Sequence, residues 1–194
     1  MENRLNDRFL NSVSNKLYKG SFILQYIYNK MLNSQNIRRY LYYNTINPLS
    51  SKGRDYAGNV VSQPDVDENQ IKDLLTDLPF GKEMSLDLEN RIFINLPIGN
   101  FDNKNELVVD VNIIVPITYY KVTEGYRNIQ IACEVANEIA DKYIDGDFMG
   151  DLGDGLKIKF VTTHTERLSK TNEYLWTLIR FKVSQPNAFD RVKY

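Results

Sequence analysis

The stretch from Glu106 to Ile144 constrains the fold most, because its apolar period changes once along its length. Over residues 106–115 every second side chain is aliphatic, and these residues share one face: Leu107, Val109, Val111, Ile113 and Val115. A period of two predicts a half-buried strand. Over residues 129–144 apolar residues recur three or four apart, which predicts an amphipathic helix. Its predicted apolar stripe consists of Ile129, Ala132, Cys133, Ala136, Ile139, Ala140, Tyr143 and Ile144. The stretch therefore predicts a sheet with one helix laid across it.

Three further strands are predicted around this unit. Residues 91–96 alternate before a turn or extended loop tip at residues 99–103, so we expect them to form a long hairpin with residues 106–115. Residues 156–163 and 173–183 carry strand patterns and are joined by a polar connection as a second hairpin. The predicted fold class is α+β, with N-terminal helices followed by an antiparallel or mixed sheet of about four strands and one amphipathic helix packed across it.

The beginning of the chain is predicted to be helical. Residues 20–32 are apolar on more than half of the helix circumference, so this helix needs burial on two sides. Ser34 is an N-cap candidate for a second helix, which ends before Pro48 because the residue before a proline disfavours the helical conformation. Residues 49–63, in which serine, glycine and asparagine are frequent, predict a loop.

A third short helix is predicted after this loop. Asp67 and Gln70 are spaced as a capping box at the start of a helix over residues 68–75. We expect residues 1–65 to form an N-terminal helical arm and loop, and residues 66–194 to form the α+β domain, with the arm and the domain making one compact unit.

Size and cysteine content set further limits. A chain of 194 residues is long enough to bury a core without disulfides, and its single cysteine excludes an internal one. Cys133 lies among the apolar positions of the predicted helix, which predicts a small buried thiol. No segment approaches the ~18 apolar residues of a membrane span, and the polar N-terminus carries no export signal, so we expect a soluble protein in a reducing compartment.

The charge balance argues against tight binding to duplex DNA. With 24 basic and 25 acidic residues the formal net charge is −1, so the chain lacks the excess of positive charge that attracts the DNA phosphates. A surface that DNA moves along without binding is still compatible with this charge. A basic and aromatic cluster is present nonetheless, formed by Arg38, Arg39, Tyr40, Tyr42 and Tyr43. Nucleic-acid stacking is one interpretation of it. Core tyrosines beside solvated arginines are favoured, because on a helix these residues point in different directions.

Few residues suggest catalysis. His164, the single histidine, lies at the end of a predicted strand without the partner residues of a nucleophile or zinc motif. The loop from Asp145 to Asp154 holds four aspartates and three glycines, with Gly155 directly after it, which suits a hard cation, but its spacing fails the EF-hand pattern and favours a turn. We therefore expect no enzyme and assign no catalytic, cofactor-binding or metal-binding residue. The alternatives are a small metal-dependent hydrolase or nuclease using this loop, or a nucleic-acid-binding regulator.

The order of these elements resembles the tail terminator and head-to-tail neck (connector) proteins of tailed bacteriophages. The ranges that carry the resemblance are residues 91–96, 106–115, 129–144, 156–163 and 174–183. The resemblance implies a structural virion protein, assembled in the host cytoplasm, that forms a homo-oligomeric and typically hexameric ring. Such a ring contacts the tail tube, the sheath, or portal and adaptor proteins. It lets DNA pass through its lumen without specific binding, and it contacts no membrane.

Two groups of residues are candidate contacts in such a ring. One lies on the apolar helix over residues 20–32, whose apolar surface is larger than one small sheet is able to cover. It consists of Phe22, Ile23, Tyr26 and Ile27. The other lies at the hairpin loop tip: Phe101, Asp102, Asn103, Lys104 and Asn105. The alternating strands also provide edges for pairing between subunits.

Overall fold

Three helices and ten strands make up the parts of the chain that a computed structural model describes, which are residues 13–77, 89–96, 106–144, 156–168 and 173–184. The helices are α1 (Val13–Asn33), α2 (Gln35–Tyr42) and α3 (Arg127–Ile139). The strands are β1 (Lys52–Arg54), β2 (Val60–Ser62), β3 (Leu75–Thr76), β4 (Arg91–Asn95), β5 (Glu106–Pro116), β6 (Lys121–Val122), β7 (Gly125–Tyr126), β8 (Tyr143–Ile144), β9 (Leu156–Leu168) and β10 (Tyr174–Ser184). Glu68–Ile71 and Ile117–Tyr119 are single 3₁₀ turns.

One six-stranded mixed sheet organises the fold, in the order β3-β4-β5-β10-β9-β8. Only β3 and β4 are parallel, and every other neighbouring pair in this sheet is antiparallel. The long strands β5 and β10 are in register from Glu106 opposite Ser184 to Pro116 opposite Tyr174. The predicted α+β class is confirmed, with four long strands at the centre and two-residue strands at both edges of the sheet.

The helices cover one face of this sheet. The predicted inward face of β5 is confirmed, since Val109, Val111, Ile113 and Val115 are all fully buried in one core. The strand is not half-buried as predicted, because Asp110, Asn112 and Ile114 on its other face are buried as well. Helix α3 packs into this core through side chains spaced four apart: Ile131, Val135 and Ile139. Helix α1 contributes a similar row: Ile23, Ile27 and Met31. The arm and the sheet thus share one core. No helix in the described ranges is long and apolar enough to span a membrane.

Several local predictions hold. The Asp67 side chain accepts a hydrogen bond from the backbone N–H of Asn69, and Gln70 accepts one from the backbone N–H of Asp67, so the predicted capping box is present. Ser34 occupies the N-cap position of α2, although its side chain makes no capping hydrogen bond. Both predicted hairpins, β4-β5 and β9-β10, form.

Other local predictions were wrong. Residues 49–63 contain the hairpin β1-β2 and not a plain loop. The helix predicted over residues 68–75 is one 3₁₀ turn that leads into β3. The helix predicted to continue to residue 144 ends at Ile139, and Tyr143 and Ile144 form β8 instead. The helix ends there because Asp141 takes a left-handed conformation (φ 57°), which turns the chain into β8.

Cys133 was predicted to be buried but is exposed. It follows Ile131 by two positions, which places it on the side of α3 opposite the stripe that packs on the sheet. Ile129, which the prediction also placed on the apolar stripe, is 41% exposed. The buried face of α3 runs instead through Ile131, Val135 and Ile139, so the predicted stripe lay on the wrong side of the helix except at Ile139.

Candidate interaction surfaces

The outer edge of β9 is the most exposed regular structure in the described ranges. Strand β8 pairs only with Leu156 and Lys157, and backbone hydrogen bonds from residues 141–142 reach no further than Ile158. Every residue from position 160 to 167 is exposed. The segment is rich in β-branched residues, which suit a strand and not a mobile loop. Within the described parts of the chain, this edge therefore offers unpaired backbone groups to a further strand.

Strand β9 is five residues longer than the predicted strand over residues 156–163, so His164 lies inside it and not at its end. Its alternation is lost after Phe160 because both faces of the strand are exposed, and a strand exposed on both faces has no apolar period to detect. A register shift at Arg180 and Phe181 places a bulge before Thr162. From Thr162 to Leu168 the pairing with β10 is regular.

A row of polar side chains crosses the sheet face opposite the helices. Asn112 on β5 donates to Asn95 Oδ1 on β4 (2.8 Å) and accepts from Trp176 Nε1 on β10 (2.9 Å). The ring of His164 on β9 meets Trp176 edge-on, and its Nε2 is 3.4 Å from Glu166 Oε2. These described neighbours give His164 no nucleophile to activate. The row fixes the orientation of the side chains near the β9 edge.

One ion pair extends this row. Arg180 on β10 makes two hydrogen bonds to the Asp110 carboxylate on β5, with Nε 2.7 Å from Oδ1 and Nη2 2.8 Å from Oδ2. The hydrogen bonds to Asp110 raise the pKa of Arg180. This two-pronged pair holds the two long central strands together on the sheet face opposite the helices, where Asp110 is 6% exposed.

The opposite edge of the sheet borders a cleft. Strand β3 is the last strand at that edge in the described ranges, and α1 runs beside it. A cleft of about 500 Å³ lies between them, lined by Gln25 and Asn29 of α1 and by Lys72 and Asp77 next to β3. Burial raises the pKa of Tyr28 in its wall, and the carboxylates of Asp77 and Glu68 raise it further. The cleft is polar and open.

The candidate contacts on α1 divide between two environments. Ile23 and Ile27 are fully buried in the subunit's own core, so their side chains are not available to a partner. Phe22 and Tyr26 are partly exposed and line a shallow groove along α1 together with Asn33. Only these two of the four residues lie at a surface.

The candidate residues of the hairpin loop lie outside the described residues: Phe101, Asp102, Asn103, Lys104 and Asn105. The loop from Asp145 to Asp154 lies outside them as well. In the ranges that the structure does describe, no group of three histidine, cysteine, aspartate or glutamate residues is placed to hold a metal ion.

The basic and aromatic cluster is largely internal, and the expectation of solvated arginines was wrong for Arg39. Its side chain is 6% exposed. Its guanidinium donates to four backbone carbonyls, those of Pro48, Ser50, Gln63 and Pro64. Arg38 is half-buried and lies 3.8 Å from Glu68. Arg39 thus tethers residues 48–64 to α2. Because its guanidinium is buried and bonded to these carbonyls, it is not placed to bind a nucleic-acid phosphate.

A second buried arginine, which we did not predict, has the same role. Arg127 is 0% exposed and donates to the carbonyls of Tyr40, Tyr43, Thr45 and Tyr119. Burial lowers the pKa of Arg127, and a hydrogen bond that its guanidinium donates to the Tyr56 side chain partly offsets this. A signal was present in the sequence, since Arg127 precedes Ile131 by four positions and so lies on the inward stripe of α3.

The family model YomW matches residues 34–183 of the chain. The match begins at the N-cap of α2 and covers α3 and the long strands of the sheet. No curated protein matches the chain.

Proposed function

This chain belongs to the YomW family, which is of phage origin, and we propose that it is a structural protein of the phage particle. In this proposal it forms a ring at the tail-tube end or at the head-tail junction, as a tail terminator or neck connector. The ring joins tail to head and lets DNA pass. The role requires no catalysis, cofactor or metal.

The exposed β9 edge is the observation that supports a ring best. A strand with exposed residues from position 160 to 167 is a template for pairing with another chain, and proteins that stay monomeric blunt or cover such edges. A subunit in a closed ring has a neighbour on each side, and the exposed β9 edge is suited to contact one of these neighbours.

The charge distribution suits a conduit. A net charge of −1 gives passing DNA no strong non-specific attraction. Two of the arginines, Arg39 and Arg127, are buried and hydrogen-bonded to backbone carbonyls. A lumen that releases DNA quickly needs a surface of this kind.

Contacts with other particle proteins would use surfaces that the ring leaves free. The partly exposed Phe22 and Tyr26 on α1 and the hairpin tip from Phe101 to Asn105 are the candidates for the tail tube, the sheath, or portal and adaptor proteins. A hexamer is the stoichiometry that we propose.

Light scattering over a range of concentrations, followed by negative-stain imaging of the largest species, tests the ring. We expect the 22.6-kDa chain to give a discrete multiple of its mass and closed rings with a central hole. A species that keeps the mass of a single chain up to millimolar concentration contradicts the proposal, as do open fibres without closed particles.

A further inference from the structure

We propose that two copies of this chain pair through the outer edges of their β9 strands, which run antiparallel with Thr165 of one copy opposite Thr165 of the other. The partner is a second copy of the chain, and the six-stranded sheets of the two copies join into one. This inference rests on the proposed function for its setting, a ring of identical subunits, and names one of the contacts in that ring.

The backbone groups that β9 offers to a partner are those of Thr163, Thr165 and Arg167. The side chain of Thr163 donates to the carbonyl oxygen of Leu178, so this carbonyl points toward β9, where His164 is its register partner. His164 therefore directs its own backbone groups toward β10. Because the direction alternates along a strand, Thr163, Thr165 and Arg167 direct theirs outward. In the described parts of the chain, no strand pairs with these three residues on that side.

One register uses all three of these residues. With Thr165 on the two-fold axis, Thr165 meets Thr165, and Thr163 meets Arg167 on both sides of the axis. This arrangement gives three hydrogen-bonded pairs of residues, each of which exchanges two backbone bonds. A slip of the partner strand by two residues in either direction leaves only two such pairs within residues 163–167. Pairing with β10 is regular from Thr162 to Leu168, so the bulge before Thr162 lies outside this register.

Side-chain charge favours the same register. His164 of each copy falls opposite Glu166 of the other, in a non-hydrogen-bonded pair, where opposite side chains are closest. The two-fold axis makes this contact twice. A slip of two residues brings His164 onto His164 in one direction and Glu166 onto Glu166 in the other. Each slipped register thus places identical ionisable groups face to face, which disfavours it.

The surroundings of β9 leave room for a second copy. Every side chain from position 160 to 167 is exposed, and the side chains of His164 and Glu166 are 60% and 42% exposed. Helix α3 packs over β5 and β10, so the edge strand lies beyond it. In an antiparallel pair the helices of both copies lie on the same side of the joined sheet, and neither set covers the contact.

The contact is isologous, because the same surface serves on both copies. It closes on itself and covers the exposed edge of both chains, which removes a template for open-ended strand pairing. In the proposed hexamer, three such pairs are joined through a second surface of the chain.

Disulfide trapping tests the register in the full chain. In a Cys133→Ser background, Thr165→Cys and Thr163→Cys are made as separate variants and oxidised with diamide at a concentration where light scattering shows association. Hydrogen-bonded partners on antiparallel strands have Cα atoms about 5.5 Å apart, within the range of a disulfide, so we expect Thr165→Cys to give a cross-linked dimer. Thr163→Cys is the matched control on the same edge and the same sheet face. It should give none, because the two Thr163 residues are then four positions apart along the strands, about 13 Å.

The outcomes separate this contact from the ring. Closed rings in which Thr165→Cys gives no cross-link overturn this inference and leave the proposed function standing. Equal cross-linking of Thr163→Cys overturns the register. Cross-linked pairs without closed rings support the pairing and count against the ring. A chain that stays monomeric overturns both.

A charge exchange provides a second test that does not depend on trapping. His164→Glu places carboxylates opposite each other at both contacts with Glu166, and we expect it to raise the concentration of half-association roughly two- to thirtyfold, with unchanged circular dichroism. Exchanging the two residues, as His164→Glu with Glu166→His, should return this concentration close to the original value. Asn137→Glu, which adds the same charge on the exposed side of α3, is the matched control and should leave it unchanged. An exchanged variant that associates no better than His164→Glu alone overturns the proposed register.

Discussion

Arg127 Nη1 lies 2.9 Å from the backbone carbonyl oxygen of Tyr40, a residue 87 positions earlier in the chain. The bond joins the start of α3 to the end of α2. Together with the bonds to Tyr43 and Thr45, it fixes the segment that leads from the helical arm into the β1-β2 hairpin. A single guanidinium thus connects two parts of the chain that the sequence presents as separate.

Replacing Arg127 with methionine should destabilise the fold strongly. The substitution leaves four backbone carbonyls without their donor in the interior, for which we expect a loss of about 3–5 kcal/mol in the free energy of unfolding. Urea denaturation measures it. Arg38→Met is the matched control, because the Arg38 side chain, which is 16% exposed, makes one ion pair at 3.8 Å with the half-exposed Glu68, and it should cost about 1 kcal/mol. Equal losses for the two variants would contradict this account.

Gly53 should not tolerate a side chain. A Cβ atom there would lie 1.5 Å from Gln63 Oε1, and Gln63 is fully buried with its Nε2 donating to Thr45 Oγ1 at 2.9 Å. We expect Gly53→Ala to cost about 1–3 kcal/mol. In a Gln63→Ala background the same substitution should cost much less, since the collision is gone. A double-mutant cycle measures the difference, and additive losses would show that the clash is not the cause.

Alkaline stability should depend on Tyr40. Burial raises the pKa of Tyr40 to about 12, while the unfolded chain has the ordinary value of 10.0. The neutral phenol is therefore favoured by folding, and its contribution is complete below pH 10 and lost as the pH rises toward 12. Over that window the free energy of unfolding should fall by roughly 2 kcal/mol more in the wild type than in Tyr40→Phe. Parallel decreases in the two proteins would contradict the assignment.

Cys133 should react in the folded protein. Because its side chain is on the exposed side of α3, one thiol per chain should be titrated by Ellman's reagent without denaturant. Cys133→Ser should change the free energy of unfolding by less than about 0.5 kcal/mol. A thiol that reacts only after guanidinium is added would mean that the helix face has been assigned wrongly.

The sequence predicted the architecture well where apolar periods are strong. The alternation over residues 106–115 placed β5 and its inward face correctly, and the spacing over residues 129–144 predicted the helix α3. The buried face of α3 was predicted wrongly, because the predicted stripe included the exposed Ile129 and Cys133 and omitted the buried Ile131 and Val135. The Asp67 capping box was also predicted from spacing alone. These features depend on neighbouring residues, which a single sequence shows directly.

The rest depends on contacts between distant residues. Arg39 and Arg127 are buried because they donate hydrogen bonds to backbone carbonyls of segments distant in the sequence. No local sequence pattern identifies those carbonyls as their partners. The full length of β9 was missed because both of its faces are exposed. The exposed outer edge of β9 could not be predicted either, because it follows from the order of the strands in the sheet.

Deletion of the gene from the phage that carries it, with electron microscopy of the lysate, tests the proposed function most directly. If this chain forms the ring that ends the tail tube or joins it to the head, the lysate should contain heads and tails that are not joined, or tails of uncontrolled length. Plasmid-borne wild-type protein should restore complete particles. Normal, infectious particles in the deletion lysate would contradict the account.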